Sequence, residues 1–449
     1  MKRFISNVLI LGVCLTPLTV PLMVQPSWAQ SQNSQLEKLK QLQQQALQQI
    51  QQGQHRQAIE TLQQVLAIAR QFTIRNVEAF ALTAIGFNYN SIGQPQEALK
   101  YFNQALPITR SVGDRSVESV TLNNIGKVYN SIGQPQEALK YFNQALPIFR
   151  EVGDRMGEAA TLNNIGFAYR DTKQPTQAID NLQQSIQITL EIRSGLQREN
   201  RQKFLEAKSG SVVALTSLLI DQNQADRAFQ WVNIATTADL ADYTRLINAK
   251  VANPQAQTAI DEWNQKNQQL QFRRRQLEDK FSENLSRQMR ELDTEVNRQA
   301  EAISRQFPEV AELFETTPKD IAQLQASIAP DTVVIQPVLL TNVNKVPNTI
   351  ALFVLTKNSL SVRKVPIDPK EFDNILTQYR KEVQDIGETN FTVTGSKLYE
   401  ILIRPVEDQI KATSAKQLSI IATGKLRYIP GGTHLNFMLT EYGMLEGNS

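Results

Sequence analysis

The stretch "SIGQPQEALKYFNQALPITR", Ser91–Arg110, returns forty residues later as "SIGQPQEALKYFNQALPIFR", Ser131–Arg150, with a single change, Thr109 against Phe149. Self-similarity at a fixed period marks a repeat architecture, and the rest of the chain is read against that period. Gly86, Gly126 and Gly166 keep the phase, as do Tyr89, Tyr129 and Tyr169, and Ala98, Ala138 and Ala178. Counting backwards, Gly53 aligns with Gly93 and Ala58 with Ala98, so a more divergent copy begins near Gln44.

Each unit reads as two helices. Leu122, Ile125, Gly126 and Tyr129 fall on one face at helical spacing. Gly126 costs a helix roughly 1 kcal/mol against alanine, so its recurrence implies a neighbouring helix packed closely over it. Gly133 offers a helix C-terminal cap and Pro135 suits the first turn of the next helix. Ala138, Tyr141, Phe142 and Ala145 then supply the apolar side of the second helix.

These residues resemble the tetratricopeptide repeat: apolar-Gly-x-x-Tyr in the first helix, then Gly, then Ala-x-x-x-Phe-x-x-Ala in the second. The resemblance implies an α-solenoid, here with links longer than usual, such as "SVGDRSVES". A helix pair at Arg201 to Ala249, carrying Ala228, Phe229, Trp231 and Ala235, reads as a degenerate closing unit, so the solenoid is expected over residues 30–248. Such solenoids bind extended peptides or partner helices along the face lined by each first helix and do little chemistry themselves. Asn90, Asn123, Asn124, Lys127, Asn130, Asn163, Asn164 and Arg170 lie off the apolar stripe and are the candidate groove residues. An asparagine amide both donates to and accepts from a peptide backbone, so a ladder of them reads chain shape more than sequence. Ahead of the repeats, Leu36, Leu39, Leu42 and Ala46 in a Gln-rich stretch predict a helix feeding into the first unit, with His55 in the turn after it.

The chain opens on Lys2 and Arg3, then an apolar run from Phe4 to Val24, then Ser27-Trp28-Ala29 before Gln30. That is the pattern of a secretory signal peptide over residues 1–29, predicting a periplasmic or secreted protein cut near Ala29. Removing the leader leaves 45 basic against 44 acidic residues and takes away Cys14, the only cysteine. A balance so near neutral argues against nucleic acid as a partner, and no stable membrane insertion of the mature chain is expected. The mature chain has no disulfide and no thiolate ligand, and two histidines are too few and too far apart for a zinc site. "ATGKLR", Ala422–Arg427, lacks both the upstream glycine and the Ser/Thr of a phosphate-binding loop. No metal or cofactor is therefore expected.

Residues 249–324 read as a charged helical connector. Within it Leu270, Leu277, Phe281, Leu285, Met289, Leu292, Val296, Ala300, Ile303 and Phe307 step at helical intervals, predicting one long amphipathic helix over 260–307. Such a helix either packs on its own chain or self-associates.

From residue 325 the pattern turns to strands: "DTVVIQPVLL", "NTIALFVLT" and "SLSVRKVPI", with Lys357-Asn358-Ser359 closing a hairpin, then helices at Pro369–Ile386 and Ser396–Lys411 and an apolar strand at Leu418–Ala422. "KLYEILIRPVEDQI", from Lys397, and "KQLSIIATGKLRYIP", ending at Pro430, resemble the opening of a CHAT domain, the caspase-like module that follows such repeats in cyanobacterial proteins. The resemblance implies a His and Cys dyad beyond the "LRYIP" stretch. No cysteine follows Cys14, His434 comes too soon after the motif, and Thr423 stands where the family has an acid. The expectation is a mostly α chain: a solenoid, a helical strap and an incomplete α/β domain over 325–449 without its catalytic half. Functionally this predicts an exported, non-enzymatic scaffold for protein or peptide partners. The alternative is a fragment of a CHAT-family cysteine peptidase whose His/Cys half is missing or supplied by another chain.

Overall fold

A computed structural model of the chain describes residues 27–194, 198–233, 254–279, 321–384, 391–413 and 415–421, together with single residues between 288 and 307. Residues 1–26 of the leader expected over 1–29, the Leu426–Pro430 motif, Gly424 and His434 lie outside the described residues. The molecule is mostly helical and divides by packing into two units, Met1–Ser194 and Gly195–Ser449.

The first unit is a solenoid of eight consecutive helices: α1 (Ser27–Gln51), α2 (His55–Gln71), α3 (Arg75–Ser91), α4 (Pro95–Val112), α5 (Arg115–Ser131), α6 (Pro135–Val152), α7 (Arg155–Asp171) and α8 (Pro175–Ser194). Proline supplies the first residue of α4, α6 and α8, where its missing N–H costs nothing. Asp114 and Asp154 cap α5 and α7, their carboxylates accepting from Val117 N at 3.0 Å and Gly157 N at 2.8 Å. The glycine rule holds where the sequence placed it. A Cβ on Gly126 would lie 2.6 Å from Cε1 of Phe142 on α6, and one on Gly86 would lie 2.7 Å from Cε1 of Phe102 on α4. The recurring tyrosines stack on the partner helix, Tyr89 on Tyr101 at 5.3 Å and Tyr129 on Tyr141 at 5.4 Å between ring centroids.

Between repeats the apolar core is joined by a periodic ionic clamp. Glu118, 4 % exposed, takes Arg110 Nε on one oxygen at 2.9 Å and Arg115 Nη1 on the other at 2.6 Å. Glu78 does the same with Arg70 and Arg75, and Glu158 with Arg150 and Arg155. Each clamp pins the end of a second helix to the start of the next first helix. Burial works to raise the Glu78 carboxyl, but the two guanidiniums outweigh it and hold that group below its ordinary value.

In the second unit a four-stranded sheet runs in the order β3 (Leu360–Pro366), β2 (Thr349–Leu355), β1 (Thr332–Leu340), β4 (Gln417–Ile420). β1–β2 and β2–β3 are antiparallel and β4 joins β1 in parallel. Every residue of β2 is buried, because both faces of the sheet are covered. On one face Ile350, Leu352 and Val354 share a core with residues of α12 (Pro369–Gln384) and α13 (Phe391–Leu402), the latter leading through a short 3-10 turn to α14 (Glu407–Ala412). On the other face lie α9 (Arg198–Asp221) and helical residues 225–233: Phe229 packs edge-on against Phe353 at 5.4 Å, Asn233 accepts from Gln336, and Lys364 reaches Asp221 at 2.6 Å. α9 thus groups with the sheet, whereas the repeat reading carried the solenoid on to residue 248.

Three expectations need correction. The long helix over 260–307 folds back on itself: α10 (Pro254–Asp279) meets the later arm through Lys266–Glu295 at 3.0 Å and through a shared core of Ile260 and Ile303. In one straight helix those 29 steps would span about 43 Å. The stripe therefore has a partner in its own chain. The helix expected at Ser396–Lys411 starts earlier and breaks, since Pro405 ends α13 and opens the turn before α14. The apolar run at Leu418–Ala422 suggests a buried strand; β4 is half exposed instead, and Ile421 after it is 47 % exposed. Short α11 (Ile321–Ser327) leads into β1.

Candidate peptide groove

The candidate residues occupy the first helix of successive repeats: Asn90 on α3; Asn123, Asn124, Lys127 and Asn130 on α5; Asn163, Asn164 and Arg170 on α7. These three helices are tied side to side by polar bonds of their own. The Thr83 and Thr121 hydroxyls meet at 2.8 Å between α3 and α5. Between α5 and α7, Asn123 Oδ1 accepts from Asn164 Nδ2 at 3.1 Å and from the Thr161 hydroxyl at 3.3 Å. The surface they form is a continuous floor, because each first helix is bonded to the next and all project from the same register.

The residues do not share one role. Asn123 and Asn164 bind each other, so part of their hydrogen-bonding capacity is spent on holding the floor together. Arg170, 12 % exposed at its side chain, gives Nε and Nη2 to Asp171 Oδ1 at 3.0 and 2.8 Å while its guanidinium lies 4.8 Å over the Phe167 ring. Its remaining nitrogen, Nη1, and the Asn130 side-chain oxygen one repeat earlier are buried without a protein partner. Lys127 is exposed and holds its ammonium 6.0 Å from the Phe87 ring centroid. Asn90, Asn124 and Asn130 are half buried at the same surface.

Phe80, Phe87 and Phe167 belong to this surface and were not picked out from sequence. Phe80 and Phe87 are half buried, seven residues apart on α3. The register held the signal: positions 87, 127 and 167 are equivalent and read Phe, Lys, Phe. The Arg–Glu–Arg clamps were also legible as arginines eight and three residues before each buried glutamate, but their role is to pin repeats together. His55, expected in a turn, is the first residue of α2 and half buried. It meets the buried Asn88 at 2.8 Å, and because Asn88 Nδ2 donates to Ala84 O, the amide oxygen faces the ring and His55 Nδ1 is the donor. Among the described residues no cluster of His, Cys, Asp or Glu has the arrangement of a metal site, and no helix is long and apolar enough to cross a membrane.

Residues 41–111 and 117–191 match the tetratricopeptide repeat family. No curated protein matches the chain as a relative. Among solved structures, nearly identical TPR-like repeats of a putative kinesin light chain from Podosopora anserina share 21% identity, covering 50% of this chain and 99% of that one at a TM-score of 0.33. The apo quorum sensor NprR of B. thuringiensis shares 17% over 63% of this chain and 77% of that one, TM-score 0.37. The pilF protein of Pseudomonas aeruginosa shares 17% over 62% and 96%, TM-score 0.35.

Proposed function

We propose that the chain is an exported, non-enzymatic scaffold that takes protein or peptide partners on the floor formed by α3, α5 and α7. The observation that carries the reading is the bonding of those helices into one surface by Thr83–Thr121 and Asn123–Asn164, which leaves Asn90, Asn124, Lys127 and Asn130 at its face. A backbone laid across the floor finds both donors and acceptors there, from residues already fixed by helix packing, so little side-chain entropy is lost on binding. Export rests on the leader pattern of residues 1–29. The sheet unit, read as CHAT-like, is proposed to serve without catalysis, since residues 30–449 hold no cysteine to act as nucleophile. The alternative, a part of a cysteine peptidase completed by another chain, requires a cysteine-bearing partner.

The experiment is affinity capture on the immobilised full chain beside its Asn124→Arg variant, from extract of the exported compartment. The reading expects proteins retained by the wild type and released by the variant. Identical retention by both overturns it, and a cysteine-bearing partner held through the sheet unit supports the alternative.

A further inference from the structure

The two faces of the sheet are covered by different chemistry. Side chains alternate along a strand, so β2 sends Ile350, Leu352 and Val354 to α12 and α13, and Thr349, Ala351, Phe353 and Leu355 to the other side. On the first face β1 adds Val333 and Ile335, and the contribution of these two strands is wholly apolar. On the second face the register sets Gln336 beside Phe353 and Lys364 beside Ala351. This is the face met by α9 and residues 225–233, and two of its polar side chains are left unsatisfied there. Gln336, 1 % exposed, gives Nε2 to Asn233 at 3.2 Å, but its Oε1 is buried without a protein partner. The buried Thr349 hydroxyl has none either. Lys364 is satisfied, its ammonium donating to Ser217 Oγ at 2.8 Å and Asp221 Oδ1 at 2.6 Å at the C-terminal end of α9.

We infer that α9 and residues 225–233 form a cover that lifts from the sheet while α12 and α13 stay packed on its other face. Each unpartnered polar atom gives up its hydration when the cover docks and recovers it when the cover lifts, so Gln336 Oε1 and the Thr349 hydroxyl both oppose closure. Closure is favoured by Phe229 on Phe353 and by the Lys364 bonds. The carboxylate of Asp221 is more than half exposed, so water can take the place of that ion pair at little cost. Nothing comparable opposes packing on the first face, where β1 and β2 present no polar side chain. Lifting the cover bares Ala351, Phe353 and Leu355, an apolar strip between Gln336 and Thr349. The cover thus keeps that strip from water until it is displaced.

The test is thiol labelling of the folded full chain in a Cys14→Ser background, with one cysteine introduced on each face. Ala351→Cys lies under the cover and Val354→Cys under α12 and α13; both positions are buried. The thiol at 351 is expected to react at least about tenfold faster than that at 354. Thr349→Val keeps the side-chain shape and removes the unpartnered hydroxyl, so it is expected to slow labelling at 351 about fivefold or more. Asp221→Asn loosens the Lys364 pair and is expected to speed it about two- to fivefold. Equal rates at the two positions, or faster labelling at 351 after Thr349→Val, overturn the inference. Hydrogen exchange of the wild type reads the same event without a substitution. A helix removed from its packing is marginal in water, so the amides of α9 are expected to exchange before those of α12 and α13. Exchange of all three helices together overturns the inference as well.

Discussion

Replacing Gly126 by alanine isolates the contact on which the repeat depends. The new methyl would sit 2.6, 2.7 and 3.0 Å from three carbons of the Phe142 ring, which is fully buried. Overpacking of this kind costs roughly 1–3 kcal/mol, and three ring atoms inside ordinary contact with no exposed side to retreat to place it near the top of that range. Alanine gives back about 1 kcal/mol of helix propensity. The net expectation is a loss of about 2 kcal/mol, read from the urea midpoint at unchanged slope. A second variant, Gly126→Ala with Phe142→Leu, identifies the cause: if the ring is the obstacle, the two changes together cost less than their sum by about 1 kcal/mol or more. An alanine at 126 that leaves stability unchanged or raises it, or strict additivity with Phe142→Leu, would refute the reasoning.

Glu118→Ala removes a buried carboxylate from two guanidiniums that are themselves half exposed and can rehydrate, so the cost is expected near 2 kcal/mol, below the full penalty for a broken buried pair. Glu151→Ala, on an exposed carboxylate, should change stability by less than about 0.5 kcal/mol in the same urea titration. For Glu78 the folded carboxyl lies below its ordinary value of 4.5, so its stabilisation is present above that pH and is lost as pH falls through the lowered value. Thermal melts of wild type and Glu78→Gln should differ at pH 7 and converge on acidification. Thr73 and Lys173 occupy left-handed backbone, φ 55° and 59°, at positions where sister repeats carry Gly113 and Gly133; Thr73→Gly and Lys173→Gly should each stabilise by about 1 kcal/mol or less, the β-branched threonine gaining more. Cysteines introduced as Lys266→Cys and Glu295→Cys should be joined by a short bis-maleimide within one chain, giving a monomer on a denaturing gel; a cross-linked dimer would mean the arms pair between chains.

What the sequence revealed follows the range of the interactions involved. The forty-residue period exposed the helix pairs because Gly126, Tyr129 and Ala138 are each dictated by contacts inside a unit, and a unit recurs. The strands β1 to β3 were equally plain, each a run rich in β-branched and apolar residues closed by turn residues. The fold-back of the connector was hidden, since an apolar stripe has the same spacing whether its partner is a second copy or its own later arm; Lys266 against Glu295 and Ile260 against Ile303 decide it. The grouping of α9 and helical residues 225–233 with the sheet was hidden for a similar reason, resting on Lys364 against Asp221 and Phe229 against Phe353 across more than a hundred residues. In the groove, asparagines off the apolar stripe could be named, but that Asn123 is spent on Asn164 and Arg170 on Asp171 requires the neighbouring helices.

The central claim is that partners lie on the first helices. It is tested most directly by selecting one peptide that binds the full chain and measuring its affinity for the chain carrying a single bulky charge on either helix set. Asn124→Arg, on α5, is expected to weaken binding at least about tenfold, equivalent to about 1.4 kcal/mol. Asn143→Arg, at an exposed position on the second helix α6, should leave it within about twofold. The reverse pattern, with binding indifferent to Asn124 and lost on changing Asn143, would contradict the account.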